Sequence, residues 1–250
     1  MQQNYLDKII IDLELHSLKG IRDCFENGVD PNTIFRDRPL IYELIGEYTR
    51  GPAFKQCVQL FIEYGLTIED EVFIAVLSNN DTWLKKKLSE NPQLLQKKYS
   101  FKCAYTSMVE ASLLHICAEF NHLDSAKVLL EFGLEADVVA GYDEFGFGGQ
   151  TPIFHTVNQN GNHSVDMLQY LLDQGANLQK TIAGVIWGKG YEWETLIPAV
   201  NPISYAMMGM LPQMHRDEKT IHSIVSLLLK RAYQIDYPVQ NVPNAYLNRT

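Results

Sequence analysis

The sequence predicts an all-α chain, a solenoid of about six helix–turn–helix repeats with two long β-hairpin or loop insertions. Three observations predict it. A helix-end signature recurs: CFENGVDPN at 24–32, LFIEYGLTIED at 60–70, LLEFGLEADV at 129–138 and LLDQGANLQ at 171–179. Its glycines, Gly28, Gly65, Gly133 and Gly175, fall 37, 68 and 42 residues apart. That fits a period of about 33 with insertions. The stretch before each glycine carries apolar residues at helical spacing, such as Leu168, Leu171 and Leu172. One helix pair cannot bury such a face, so neighbouring pairs must stack.

Glycine suits the signature because a helix commonly ends on a left-handed residue, which only Gly adopts without steric cost. The sixth copy, SLLLKRAYQID at 226–236, has Arg231 in the glycine slot. The first helix of each unit has its own start signal. Thr151-Pro152-Ile153 and Asn201-Pro202-Ile203 place a capping side chain before a proline at the first helical position. Ser112 does so without proline, in SLLH at 112–115, and Arg38-Pro39-Leu40 keeps only the proline.

These motifs resemble the ankyrin-repeat family, in its bacterial form with enlarged hairpin loops. The family's first-helix motif is Thr-Pro-Leu-His, and only Ser112 with His115 matches both ends. Ile41, Phe154 and Ser204 fill the His slot elsewhere. The resemblance is strong over 111–179, fair over 15–77 and 201–236, and weak between. It implies one domain over 1–250. A degenerate cap at 1–37 precedes repeats at 38–70, 70–110, 111–150, 151–200 and 201–236, and a tail covers 237–250. In the third unit the expected helices are Glu71–Leu77 and Thr82–Glu90.

Two connections are too long for plain repeats, 140–150 and 179–200. In the second, β-formers flank Gly188-Lys189-Gly190, a hairpin-turn signal. Pairing Trp187 with Tyr191 sets Val185 opposite Trp193, with Glu192 and Glu194 on the other face. The resemblance places such fingers, with the concave face, where a partner binds. Aromatic residues concentrate at interface hot spots. The candidate partner-binding residues are therefore Tyr142, Asp143, Phe145, Trp187, Tyr191, Glu192, Trp193 and Glu194. Packing of the two fingers on each other is the competing role for the aromatics.

The formal net charge of -9 repels phosphate backbones and anionic lipid, so nucleic acid and membrane are disfavoured and a basic protein partner is favoured. Lys85, Lys86, Lys87, Lys97, Lys98 and Lys102 form one basic island, whose default reading is a solvated face. MQQNYLDKII lacks a leader pattern, and Cys24, Cys57, Cys103 and Cys117 form no CxxC pair. A reducing, cytoplasmic setting and a monomer are expected. Catalytic and metal sites are expected to be absent, and no cofactor is implied. Asp143 and Glu144 point apart, His115 and Cys117 face different ways on a helix, and His215 with His222 lacks further ligands. The expected function is a protein-interaction scaffold without catalysis. A dedicated neutraliser of a basic enzyme or toxin is the first alternative. The second is an enzyme built from the fingers, which needs a deep pocket of histidines and carboxylates between 142–155 and 187–201.

Overall fold

The computed structural model describes residues 2–190, 192, 194–210 and 216–238. Tyr191, Trp193, His215 and all but the first two residues of the expected tail lie outside the described residues. The chain opens with α1 (Gln2–Glu14) and α2 (Leu18–Glu26), then β1 (Ile34–Phe35) and β2 (Arg38–Pro39). Next come α3 (Ile41–Gly46) and α4 (Phe54–Glu63), then α5 (Glu71–Leu77) and α6 (Asp81–Glu90). The hairpin β3 (Lys98–Phe101) and β4 (Met108–Ser112) leads into α7 (Leu113–Phe120) and α8 (Leu123–Glu131). A 3-10 turn at Pro152–His155 precedes α9 (Val165–Asp173). The hairpin β5 (Ile182–Trp187) and β6 (Thr195–Val200) leads to α10 (Pro202–Met208) and α11 (Glu218–Tyr233).

Successive helix pairs pack on one another. α1 meets α3 and α2 meets α4; α5 meets α7 and α6 meets α8. The 152–155 turn lies between α7 and α10, and α9 packs on α8. One buried apolar cluster runs through these contacts from Ile9 to Leu228.

The marker glycines behave as their place requires: φ is +92° at Gly28, +93° at Gly65, +95° at Gly133 and +82° at Gly175. Where Arg231 replaces glycine, the helix runs on to Tyr233 and Gln234 takes the left-handed position at φ +59°. Asparagines tie one repeat to the next. Asn79 and Asn121 sit left-handed in the turns between helices, at φ +51° and +55°. Their side-chain oxygens accept the N–H of Ser125 at 3.0 Å and of Met167 at 3.1 Å, in the first turn of the following repeat's helix. These two bonds satisfy N–H groups that a helix start leaves without a partner.

Three expectations need correction. The described residues are largely helical, but three two-stranded antiparallel ladders accompany the helices. Two of them, β1–β2 and β3–β4, lie outside the two expected insertions. The fifth repeat does not open with a full helix. Phe154 N–H bonds the Thr151 carbonyl at 3.1 Å, as a 3-10 turn requires, so the Thr151 hydroxyl is left without the expected capping bond. Beyond it Asn158 and Gln159 bond the Tyr205 and Glu119 carbonyls, which pulls the chain away from helical continuation. Finally, the register of β5–β6 differs: Trp187 pairs with Thr195, and Val185 with Ile197. Gly190 N–H donates to the Glu194 carboxylate at 2.7 Å, which holds a wider loop than the glycines alone suggest.

The basic island is largely paired. Lys85 meets Glu131, Lys86 meets Glu90, Lys87 meets Glu71 and Glu90, and Lys97 meets Asp70. Among the described residues no helix is long and apolar enough to cross a membrane.

Candidate functional site: a groove between the fingers

The fingers converge on one groove of about 980 Å³. Arg36 and Arg38 come from the first hairpin, Phe101 to Tyr105 from the β3–β4 finger, and Tyr142, Asp143, Glu144, Phe147 and Gly148 from the next. Val185 to Lys189 close it, and Gly46, Glu47 and Tyr48 form the wall at the end of α3.

The middle of the groove is built by residues distant in sequence. Tyr48 and Tyr105 stack with ring centroids 4.8 Å apart. The Arg216 guanidinium carbon lies 4.7 Å from the Tyr105 ring, 5.4 Å from Tyr48 and 5.7 Å from Trp187. Such guanidinium–ring layers hold by cation–π attraction. Arg216 also donates to the Asn158 carbonyl at 3.1 Å and to the Tyr48 hydroxyl. The segment after α3 thus touches the residues just before α11.

Beneath this layer lies a buried ionic cluster. Arg50 donates from Nε at 3.2 Å and Nη2 at 3.0 Å to Glu119 Oε1, and His155 Nδ1 bonds Glu119 Oε2 at 2.9 Å. Gln159 donates to the Glu119 and His155 carbonyls. Burial alone would raise the Glu119 carboxyl, but the His155 hydrogen bond and the Arg50 charge hold it below the usual carboxylate range. Burial works against the Arg50 charge too, yet Glu119 holds that charge firmly in place.

The sequence-expected contact residues do not share one environment. Tyr142 and Phe145 are open, 60% and 65% exposed, and Tyr142 lines the groove. Asp143 is committed to its own turn: its carboxylate accepts the N–H of Phe145 and of Phe147, both at 2.9 Å. Trp187, expected as an open contact, is only 7% exposed. The fingers do pack together here, with Phe147 against Gly184 and Lys189 bonded to Glu144 at 2.6 Å and lying 5.1 Å over the Phe145 ring. Glu192 is exposed and Glu194 braces Gly190, while Tyr191 and Trp193 are outside the described residues.

Sequence reading missed Glu47, Tyr48, Arg50, Tyr105, Glu119 and Arg216. One signal was available: Glu119 interrupts the apolar run of α7, and a carboxylate in such a run needs a buried partner. The histidines near the fingers face the helix stack. His115 caps α7 by accepting the Ser112 N–H at 3.1 Å and bonds the Gln150 carbonyl at 3.0 Å, and its neighbour Cys117 is buried. Ser204 takes the same capping role for Asn201. Among the described residues no group of three or more His, Cys, Asp or Glu could hold a metal ion.

Residues 114–172 match the model of a family described as ankyrin repeats (many copies). Ankyrin repeats generally mediate protein–protein interaction. No curated protein matches the chain.

Proposed function

We propose that this chain, an ankyrin-repeat protein by its match over residues 114–172, is a scaffold that binds a protein partner through its fingers and inner face, without catalysis. The whole of 1–250 is then one solenoid domain of about six repeats, acting as a monomer in the cytoplasm. One observation carries the reading: successive fingers line a single groove of about 980 Å³ that presents exposed aromatics at its rim. Helices packed in series hold these loops fixed, which reduces the entropy lost on binding. Tyr142 and Phe145 are the accessible contacts, with Glu192 and Glu194 giving charge selectivity. Trp187 acts from the groove wall, and Asp143, Tyr191 and Trp193 complete the proposed contact set. The net charge of -9 favours a basic partner, including a basic enzyme or toxin that the protein neutralises.

The test is affinity capture with the intact chain and with Tyr142→Ala/Phe145→Ala. Both side chains are exposed, so the melting temperature should hold within a few degrees. A protein held by the intact chain should be lost, or weakened at least about tenfold, in the variant, as removal of two aromatic contacts implies. Equal retention contradicts the assignment of the binding surface.

A further inference from the structure

Most charges in the groove wall are balanced by the chain itself. Arg38 and Arg36 hold Glu43, and Lys189 holds Glu144 and approaches Asp143. Lys102 and Arg216 are themselves engaged. Glu47 differs. Among the described residues no cation makes a salt bridge with its carboxylate, and the only bond from Arg50 goes to its main-chain oxygen. Burial pushes the Glu47 carboxyl up, Glu14 and Glu43 push it further, and the Tyr48 main-chain N–H and the Arg50 charge offset this only in part. A cationic guest would relieve that strain. Beside it Tyr48, stacked on Tyr105, is still 45% exposed, next to a carboxylate with no salt bridge among the described residues.

A second observation points to a guest. Trp187 lines the groove and is buried, and among the described residues its indole N–H has no acceptor. A buried donor without an acceptor is costly, and an entering carbonyl would satisfy it. The Tyr48 and Trp187 rings flank the Arg216 guanidinium at 5.4 and 5.7 Å. The two are therefore within about 11 Å, the reach of about three residues of extended chain.

We infer that the groove takes an extended segment of the partner, which sets a lysine or arginine against Glu47 and Tyr48 and turns a main-chain carbonyl to the Trp187 indole. This rests on the scaffold reading and adds the chemistry of the bound segment. An acidic segment would meet an unneutralised carboxylate instead.

The experiment uses the full chain and pools of N-acetylated, C-amidated octapeptides, random except for one central position fixed as Arg, Lys, Glu or Gln. The Arg and Lys pools should be retained about tenfold over the Glu pool, the worth of one charge-assisted pair. Glu47→Gln should bring the pools within about twofold of one another at unchanged melting temperature. Trp187→Phe keeps an aromatic ring, though a smaller one, and removes the donor. It should weaken retention of the Arg and Gln pools alike by about threefold to tenfold. Equal retention of all pools, preference for Glu, or unchanged selectivity in Glu47→Gln overturns the inference and leaves the scaffold reading standing. Failure to retain any pool contradicts both.

Discussion

Glu119 shows how one side chain settles its surroundings. Its carboxylate is sealed between Arg50 and His155, while Gln159 holds its main-chain carbonyl. Truncating one partner of a buried pair strands a charge, at a cost of about 3–5 kcal/mol. Buried histidines set the acid limit of the fold in a different way. Burial pushes His115 and His122 down to about 3, below the ordinary histidine value of 6.5. In the unfolded chain each takes up a proton near pH 6.5, while in the fold it stays neutral. Their contribution is therefore complete above about pH 6.5 and drains as pH falls towards 3. Two such groups give a loss of roughly 3 kcal/mol per pH unit between about pH 6 and pH 4. His122 bonds the Val76 carbonyl through Nδ1, a bond that an asparagine amide can supply. In His122→Asn the slope of unfolding free energy against pH, from urea titrations, should fall by about 1.4 kcal/mol per unit. An unchanged slope would show that His122 titrates normally.

At the scale of the element, Asn121 does two jobs. It takes the left-handed turn after α7 and receives the Met167 N–H of the next repeat. Asn121→Gly keeps the turn and loses the bond, for about 1 kcal/mol. Asn121→Ala loses both and should cost about 1–2 kcal/mol more, because a Cβ disfavours the left-handed region. Equal cost for the two, measured by chemical denaturation, would mean that backbone strain is unimportant there. The helix pairs were legible in the sequence because their signals are local. The glycine stops and α5 at Glu71–Leu77 stand where spacing puts them, and α6 begins at Asp81, within a residue of its predicted start. What was hidden depends on partners far along the chain. Pro152 promises a helix, but Asn158 and Gln159 spend their side chains on the Tyr205 and Glu119 carbonyls. Trp187 reads as a finger-tip aromatic, yet it is covered against the groove wall near Arg216. The widened β5–β6 loop turns on Glu194 reaching Gly190, which no propensity encodes.

At the scale of the molecule, some contacts join elements far apart in the chain, as a plain one-dimensional stack would not. In such a stack each repeat touches only its neighbours. Here Arg50, before α4, reaches Glu119 on α7, and Tyr48 reaches Arg216 at the start of α11. These links were invisible in the sequence because their members lie 69 and 168 residues apart. They fix the fingers relative to one another, and so shape the groove that a partner would enter. The most direct measurement is hydrogen–deuterium exchange of the captured complex, compared with the free chain. Binding in the groove should slow exchange in residues 36–48, 101–109, 142–148 and 185–189 and leave helices α4, α6 and α8, which do not line it, unchanged. Protection confined to those helices would contradict it.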